Sequence, residues 1–361
     1  MTDDSEQLIE RLIRPEIRAL KAYSVPCADG LIKLDAMENP YSLPADIRRE
    51  WLEALRGISL NRYPDPVATA LKSRLQSAMQ LPSGAEILLG NGSDELIQII
   101  AMALARPGAV MLAPTPTFVM YELISTAVGA EFVGVPLTEN FELDGTALRA
   151  ALRRHKPAAV FIANPNNPSG NLFSAEAIDA IINEAPGVVV VDEAYYPFTG
   201  ATFAERLDRY PNLLILRTLS KLGLAGLRLG VLAGASALLA QFDKLRLPYN
   251  VNSLTQASAE FFLSRRQVFD AQVARICSDR DRLFEQLNAL PGIRVWSSRT
   301  NFILFRSERK SADDLFEALR ARRVLIKNLH GGTSALAECL RVSVGTPEEN
   351  AVFLDALKQS L

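Results

Sequence analysis

The chain has 361 residues, 48% hydrophobic and 22% charged, with a formal net charge of −2 and no basic block, which leaves no electrostatic footing for nucleic acid. That length exceeds one ordinary hydrophobic core and favours two packed units. Two histidines, His155 and His330, exclude a histidine-rich metal site, and the widely spaced Cys27, Cys277 and Cys339 lack metal-ligand spacing and read as reduced thiols in a cytoplasm.

The first segment, "MTDDSEQLIERLIRPEIRAL", is acidic and then helix-periodic, unlike the basic-then-apolar order of a signal peptide. It opens an arm over residues 1–48 that is expected to pack on the smaller unit. No apolar run reaches membrane-spanning length. Short apolar runs then recur: "EILLG" from Glu86, "AVMLA" from Ala109, "EFVGV" from Glu131, "AAVFIA" from Ala158, "GVVVVD" from Gly187, "NLLILR" from Asn212 and "GVLAG" from Gly230. Most are continuously apolar, as strands covered on both faces are. Several gaps between them fit crossover helices, as at Asp94–Ala105 and Ser174–Glu184. The expected fold is α/β, with a mostly parallel seven-stranded sheet flanked by helices in a large unit over 49–247. Beyond Tyr249 a long helix-like region (Thr255–Leu290) precedes "GIRVW", "NFILF", a helix, "RVLIK" and "CLRVSV", which predicts a smaller α+β domain over 248–361.

In open parallel sheets ligands bind beyond the carboxyl ends of the strands. Three polar clusters fall there: "FIANPNNPSG" carries Asn167, "VVVVDEAYYPF" carries Asp192 and Tyr195, and "LLILRTLSK" delivers Lys221 among small and apolar residues. A fourth, "LLGNGSDELI", runs through Gly90 and Gly92 into a helix that begins near Ser93, a natural phosphate site, to which Arg228 adds a fixed positive charge. Taken singly, each has a plainer reading: a snorkelling lysine, a helix-capping aspartate, a turn-building asparagine, a tyrosine at the core edge. Together they supply an amine, a carboxylate, a phenol, an amide and a phosphate cradle, the set that pyridoxal 5'-phosphate requires. "GNGSDEL" lacks the third glycine of a dinucleotide fingerprint, and no GxxxxGK[ST] loop occurs. A Schiff-base aldolase would use Lys221 without needing the rest of the set.

These residues and the motifs "KLDAMENPY", "RYPDP", "GNGSDELI", "NPNNPSG", "VDEAYYPF", "TLSKLGLAGLRLG" and "CLRVSVGTPEEN" give the chain a resemblance, over essentially its whole length, to fold-type I pyridoxal-phosphate-dependent aminotransferases, and within them to the histidinol-phosphate aminotransferases. The resemblance implies Lys221 as the Schiff-base and proton-carrying lysine, Asp192 as partner of the pyridine nitrogen, and Tyr195 and Asn167 as partners of the ring oxygen. It places Ser93, Asp94, Ser220 and Arg228 around the phosphate and Phe118 on the ring face. Tyr63 resembles the tyrosine that reaches the phosphate of a neighbouring subunit, which implies a homodimer with shared sites. Arg341 matches the arginine that grips the substrate's anionic group, and Tyr23 a tyrosine that lines the substrate pocket.

Two departures stand out. The loop from Lys221 to Arg228 is one residue shorter than the commonest family form, and Lys327 stands where many members have a second substrate-binding arginine. The implied reaction moves an amino group between L-histidinol phosphate and 2-oxoglutarate. Its rivals are an aminotransferase of the same fold acting on aromatic or other amino acids, a decarboxylase of phosphorylated threonine, and a non-catalytic sensing domain that has kept the fold.

Overall fold

The computed structural model describes residues 2–22 and 26–361. It opens with helices α1 (Thr2–Leu12) and α2 (Pro15–Ala19), strand β1 (Ile32–Lys33), and helices α3 (Ala45–Leu55) and α4 (Thr69–Ala78). Strand and helix then alternate: β2 (Glu86–Asn91), α5 (Ser93–Leu104), β3 (Val110–Thr115), α6 (Met120–Val128), β4 (Glu131–Pro136), α7 (Gly145–His155), β5 (Ala159–Ala163), α8 (Ala175–Glu184) and β6 (Val188–Asp192). There follow β7 (Leu213–Thr218), β8 (Leu229–Gly234), α9 (Ser236–Asp243), α10 (Ser253–Leu263) and α11 (Arg266–Asn288). The chain closes with β9 (Ile293–Val295), β10 (Phe302–Ser307), α12 (Ala312–Ala321), β11 (Val324–Leu325), β12 (Lys327–Asn328), β13 (Cys339–Ser343) and α13 (Pro347–Lys358).

The seven apolar runs form one sheet in the order β2-β8-β7-β6-β5-β3-β4. Its paired strands are parallel except where β8 runs antiparallel to both its neighbours. Every residue of β5, β6, β7 and β8 is buried. Their side chains alternate between two apolar clusters: Val189 and Val191 enter one with Leu71, Leu148 and Ile178, while Val188 and Val190 enter the other with Leu96, Tyr121 and Phe242. Coverage on both faces is why these strands are continuously apolar.

A second sheet, β12-β13-β10-β9, is antiparallel and has its own cluster around Ile303, Phe305, Leu340 and Phe353. The first forty-odd residues divide their contacts. Strand β1 pairs in parallel with β11 (Ile32↔Val324), beside this second sheet. Helix α2 instead packs on α6 of the large sheet, where Arg14 Nη2 donates to the Ala127 carbonyl. The expectation for the arm names only the first of these contacts. The helix-like region Thr255–Leu290 is two helices rather than one, because Ser264 Oγ donates to the Phe261 carbonyl at 2.6 Å and competes with the backbone where α10 ends.

One buried charge pair lies directly behind the carboxyl ends of β6 and β7. Arg217 and Glu193 are at most 3% exposed, with Arg217 Nε 2.9 Å from Glu193 Oε2. Arg217 also donates to the Met79 carbonyl and to Thr202 Oγ1 (2.7 Å), and its guanidinium lies 3.9 Å from the Tyr196 ring centroid. Burial pushes the Glu193 carboxyl up and Arg217 opposes the push. Arg217→Met should therefore destabilise the protein by about 3–5 kcal/mol at neutral pH, because it strands a buried carboxylate. Without Arg217 the folded-state pKa of Glu193 rises further, so the deficit should shrink as pH falls and the carboxylate takes up its proton. Urea midpoints at two pH values check this; equal stability of variant and parent would contradict it.

Candidate active site

Three parallel strands end side by side, with Ala163, Asp192 and Leu216 in register across β5, β6 and β7. The chain leaving β5 is held back against β6 by Asn164 N–H donating to the Asp192 carbonyl at 2.8 Å. Asn166 then ties the turn to the Pro116 carbonyl (3.0 Å) and to Ser169 Oγ (2.7 Å), which leaves buried Asn167 on the cavity wall. After β7, Thr218 Oγ1 accepts from the Ser220 N–H at 3.1 Å and closes the short turn that delivers Lys221. The result is a cavity of about 240 Å³ at the carboxyl ends of the strands. Ser93, Asp94, Phe118, Asn167, Asp192 and Tyr195 line it, together with Ser220, Lys221 and Arg228.

At one end, β2 turns through Gly92 (φ 89°) into α5, whose first N–H groups have no helical acceptor. Two glycines make this approach possible. A Cβ at Gly230 would lie 2.5 Å from the Gly92 carbonyl carbon and 2.6 Å from Ser93 N, and one at Gly92 would lie 2.6 Å from Arg228 Nη2. The shorter Lys221–Arg228 loop is resolved by two 3-10 turns, Ser220–Leu222 and Ala225–Leu227, with Arg228 in the left-handed region (φ 50°). Its guanidinium thus lies over Gly92. The Arg228–Asp94 pair, 3.5 Å apart and about half exposed, adds little stability by itself.

The electrostatics follow from burial. Desolvation of Lys221, reinforced by Arg341 and opposed by Glu38 and Asp94, pulls its pKa down to about 8. Desolvation of Asp192 pushes its carboxyl up to about 6, against the hydrogen bonds from Tyr121 and the Ala194 N–H. Burial likewise raises Tyr195, whose phenol therefore stays protonated; it donates to Met37 Sδ at 3.2 Å, and its ring meets Phe302 edge-on at 5.3 Å. Lys221 Nζ lies 5.9 Å from the Tyr195 ring centroid. Met37 is held in the left-handed region (φ 54°) by Ser343 Oγ on its N–H and Asn301 Nδ2 on its carbonyl, both at 2.8 Å. The donor set fits pyridoxal 5'-phosphate: a poised amine, a carboxylate for the ring nitrogen, a phenol and an amide for the ring oxygen, and a glycine-permitted helix terminus with an arginine for the phosphate.

An adjoining cavity of about 650 Å³ shares Met37, Phe118 and Asn167 with the first, and Lys327 and Arg341 stand in its wall. These two cations are opposite each other across β12 and β13, so both side chains leave the same face of the sheet. Arg341 is buried; it donates to Asn167 Oδ1 and to the Asp35 carbonyl (3.2 Å), and its guanidinium carbon lies 5.2 Å from the Phe302 ring centroid. With Oδ1 engaged, the Asn167 amide keeps its N–H donors for the cavity.

One expected residue is not brought to the site within this chain. Tyr63 is 80% exposed and stacked on Tyr249, with ring centroids 4.4 Å apart, and does not line the cavity. Tyr23 lies outside the described residues. Sequence reasoning missed Tyr121 and Met37. Tyr121 follows Phe118 by three residues, and that one-turn spacing was the available signal; Met37 lay inside "KLDAMENPY" with nothing to distinguish it from core.

If Lys221 is the residue that takes up pyridoxal phosphate, its reactive form is the neutral amine, and the uptake rate of cofactor-free protein should rise with pH through a midpoint at about 8. Borohydride trapping with mass spectrometry at each pH reads the profile. A midpoint at the ordinary lysine value near 10.5 would contradict the role of burial.

Residues 29–357 match the family described as "Aminotransferase class I and II". The chain is 53% identical over 350 residues to "Histidinol-phosphate aminotransferase 2" of Nitrosococcus oceani, covering 97% of each chain. It is 50% identical over 361 residues to "Histidinol-phosphate aminotransferase 1" of Ralstonia nicotianae, covering 99% of this chain and 96% of that one. The crystal structure of histidinol-phosphate aminotransferase from Sinorhizobium meliloti in complex with pyridoxal-5'-phosphate shares its fold, with a TM-score of 0.85 at 24% identity over 97% of both chains. The expected fold-type I architecture and the pyridoxal phosphate requirement both hold. The chain belongs to the class I and II aminotransferases, which depend on pyridoxal phosphate, and within them to the histidinol-phosphate aminotransferases.

Proposed function

We propose that the chain transfers the amino group of L-histidinol phosphate to 2-oxoglutarate, giving imidazole acetol phosphate and L-glutamate, as a step of histidine biosynthesis. The observation that carries this reading is the Lys327–Arg341 pair on one face of the cavity that adjoins the one lined by Lys221. Histidinol phosphate has no carboxylate, so its phosphate must meet the charge that glutamate's α-carboxylate meets. A phosphate near neutral pH carries close to two negative charges, which two cations match better than one.

When bound, pyridoxal phosphate supplies a covalent carrier for the amino group and an electron-accepting ring. The chain's own residues do the rest. Lys221 would hold the cofactor through Nζ, and the same nitrogen, as a free amine, would carry the proton from the substrate's Cα. Its depressed pKa leaves a substantial neutral fraction near neutral pH. Asp192 holds a proton at the ring nitrogen, and Tyr195 Oη and the Asn167 amide donate to the ring oxygen. Ser93, Asp94, Ser220 and Arg228 hold the phosphate, with backbone N–H groups contributing at the first two, and Phe118 covers the ring. Arg341 grips either substrate's anionic group bidentately. Tyr63, exposed and rigidified by its stack on Tyr249, serves the neighbouring subunit's phosphate in a homodimer. The arm (1–48), the large cofactor-binding domain (49–247) and the small domain (248–361) act as the units of a cytoplasmic enzyme.

Steady-state assays with histidinol phosphate, phenylalanine, tyrosine and phosphothreonine test the reading. Histidinol phosphate should show the highest kcat/KM; decarboxylation of phosphothreonine or a preference for an aromatic amino acid would overturn it. Removing Arg341 should damage both half-reactions. Lys327→Ala should weaken histidinol phosphate more than glutamate, by about 1.5–3 kcal/mol for a desolvated charge-assisted contact. Single-turnover rates of each half-reaction read this difference, and equal effects on both substrates would reject the selective role.

A further inference from the structure

Tyr121 has no part in the roles assigned above, yet its phenol makes one of the shortest buried contacts of the site. The side chain is fully buried in the first turn of α6, and Oη donates to Asp192 Oδ2 at 2.7 Å. The other carboxylate oxygen accepts the Ala194 N–H at 3.0 Å. The Tyr121 ring stacks on Phe161 (centroids 4.9 Å apart, planes 13° apart) and meets Phe118 edge-on at 5.6 Å. Phe118 and Asp192 line the cavity, whereas Tyr121 does not. One side chain therefore braces both the aromatic wall and the carboxylate from behind.

We propose that Tyr121 is a positioning residue that holds the Asp192 carboxylate ionised and in the rotamer presented to the cofactor's ring nitrogen, an inference that rests on the cofactor-site reading above. A buried carboxylate without donors reverts to the neutral acid, and a neutral acid cannot keep a pyridine nitrogen protonated. Asp94 on α5 and Glu193, next in the chain, both work against ionisation of Asp192, and the charge of Glu193 is answered by Arg217. Lys221 and the Tyr195 phenol share the cavity but make no hydrogen bond to Asp192. The Tyr121 phenol opposes the burial that lifts Asp192 to about 6. Burial and the neighbouring Asp192 charge push Tyr121's own ionisation far up, so it remains a donor throughout the working range.

Tyr121→Phe keeps both ring contacts and removes only the donor. In cofactor-free protein carrying carbon-13 at aspartate carboxyls, the Asp192 titration should move up by about one pH unit, a tenfold gain in proton affinity. The dissociation constant for pyridoxal phosphate should rise about tenfold near pH 5, below both titrations, and only about twofold near pH 7, and should recover as pH climbs further. In an Asp192→Asn background the same substitution should change the cofactor affinity no further. Should Tyr121→Phe fold poorly, site-specific 3-fluorotyrosine at position 121, a stronger donor, should move the Asp192 titration downward instead. An unmoved titration, a loss of affinity equal at every pH, or the same loss in the Asp192→Asn background would overturn the proposal. The carboxyl titration needs no cofactor: failure of wild-type protein to bind pyridoxal phosphate would sink the cofactor reading, while the titration still decides the Tyr121–Asp192 coupling.

Discussion

Everything chemical in this protein hangs from one row of the large sheet, where Ala163, Asp192 and Leu216 stand in register across β5, β6 and β7. The register is set by strands whose residues are all buried, so a slip would cost the whole apolar packing of both faces. The turns beyond that row then have little freedom. One brings Asn167 to the cavity, another Lys221, and the strand end itself is Asp192. The buried Arg217–Glu193 pair ties the end of β7 to the residue that follows β6.

The cost of removing charge from water is the second organising force. It pulls the Lys221 amine down and pushes the Asp192 carboxyl up, two opposite shifts from one cause. The first shift suits an amine that must react as a base. The second works against an ionised Asp192, and donated hydrogen bonds from Tyr121 and the Ala194 N–H oppose it. Arg341 links this region to the substrate side: it presses on Lys221 electrostatically and also orients the Asn167 amide. A change at Arg341 is therefore felt at the Asn167 amide as well as at Lys221.

Much of this was legible in the sequence, for physical reasons that can be named. Strands covered on both faces must be continuously apolar, so "GVVVVD" announced both β6 and the polar residue at its end. Gly90 and Gly92 announced a turn with close backbone approach, whereas the matching approach at Gly230 shows only once β8 lies beside β2. Tyr121 was not legible in the same way, because a tyrosine in an apolar helix reads as core until its phenol is seen to meet Asp192. Arg217 and Glu193 lie far enough apart in the chain that only strand pairing reveals them as a buried pair. The split contacts of the arm depend on Arg14 finding a backbone carbonyl on α6, which no local pattern encodes.

The central claim is that one buried amine both carries the cofactor and yields it to histidinol phosphate. Borohydride treatment of the holoprotein, followed by peptide mapping, tests it in one measurement made with and without prior addition of L-histidinol phosphate. The account predicts that the reduced cofactor is found on Lys221 in the untreated sample and is lost from Lys221 when the substrate is added first. Label on another lysine, such as Lys33 or Lys327, or label on Lys221 that persists after saturation with histidinol phosphate, would contradict it.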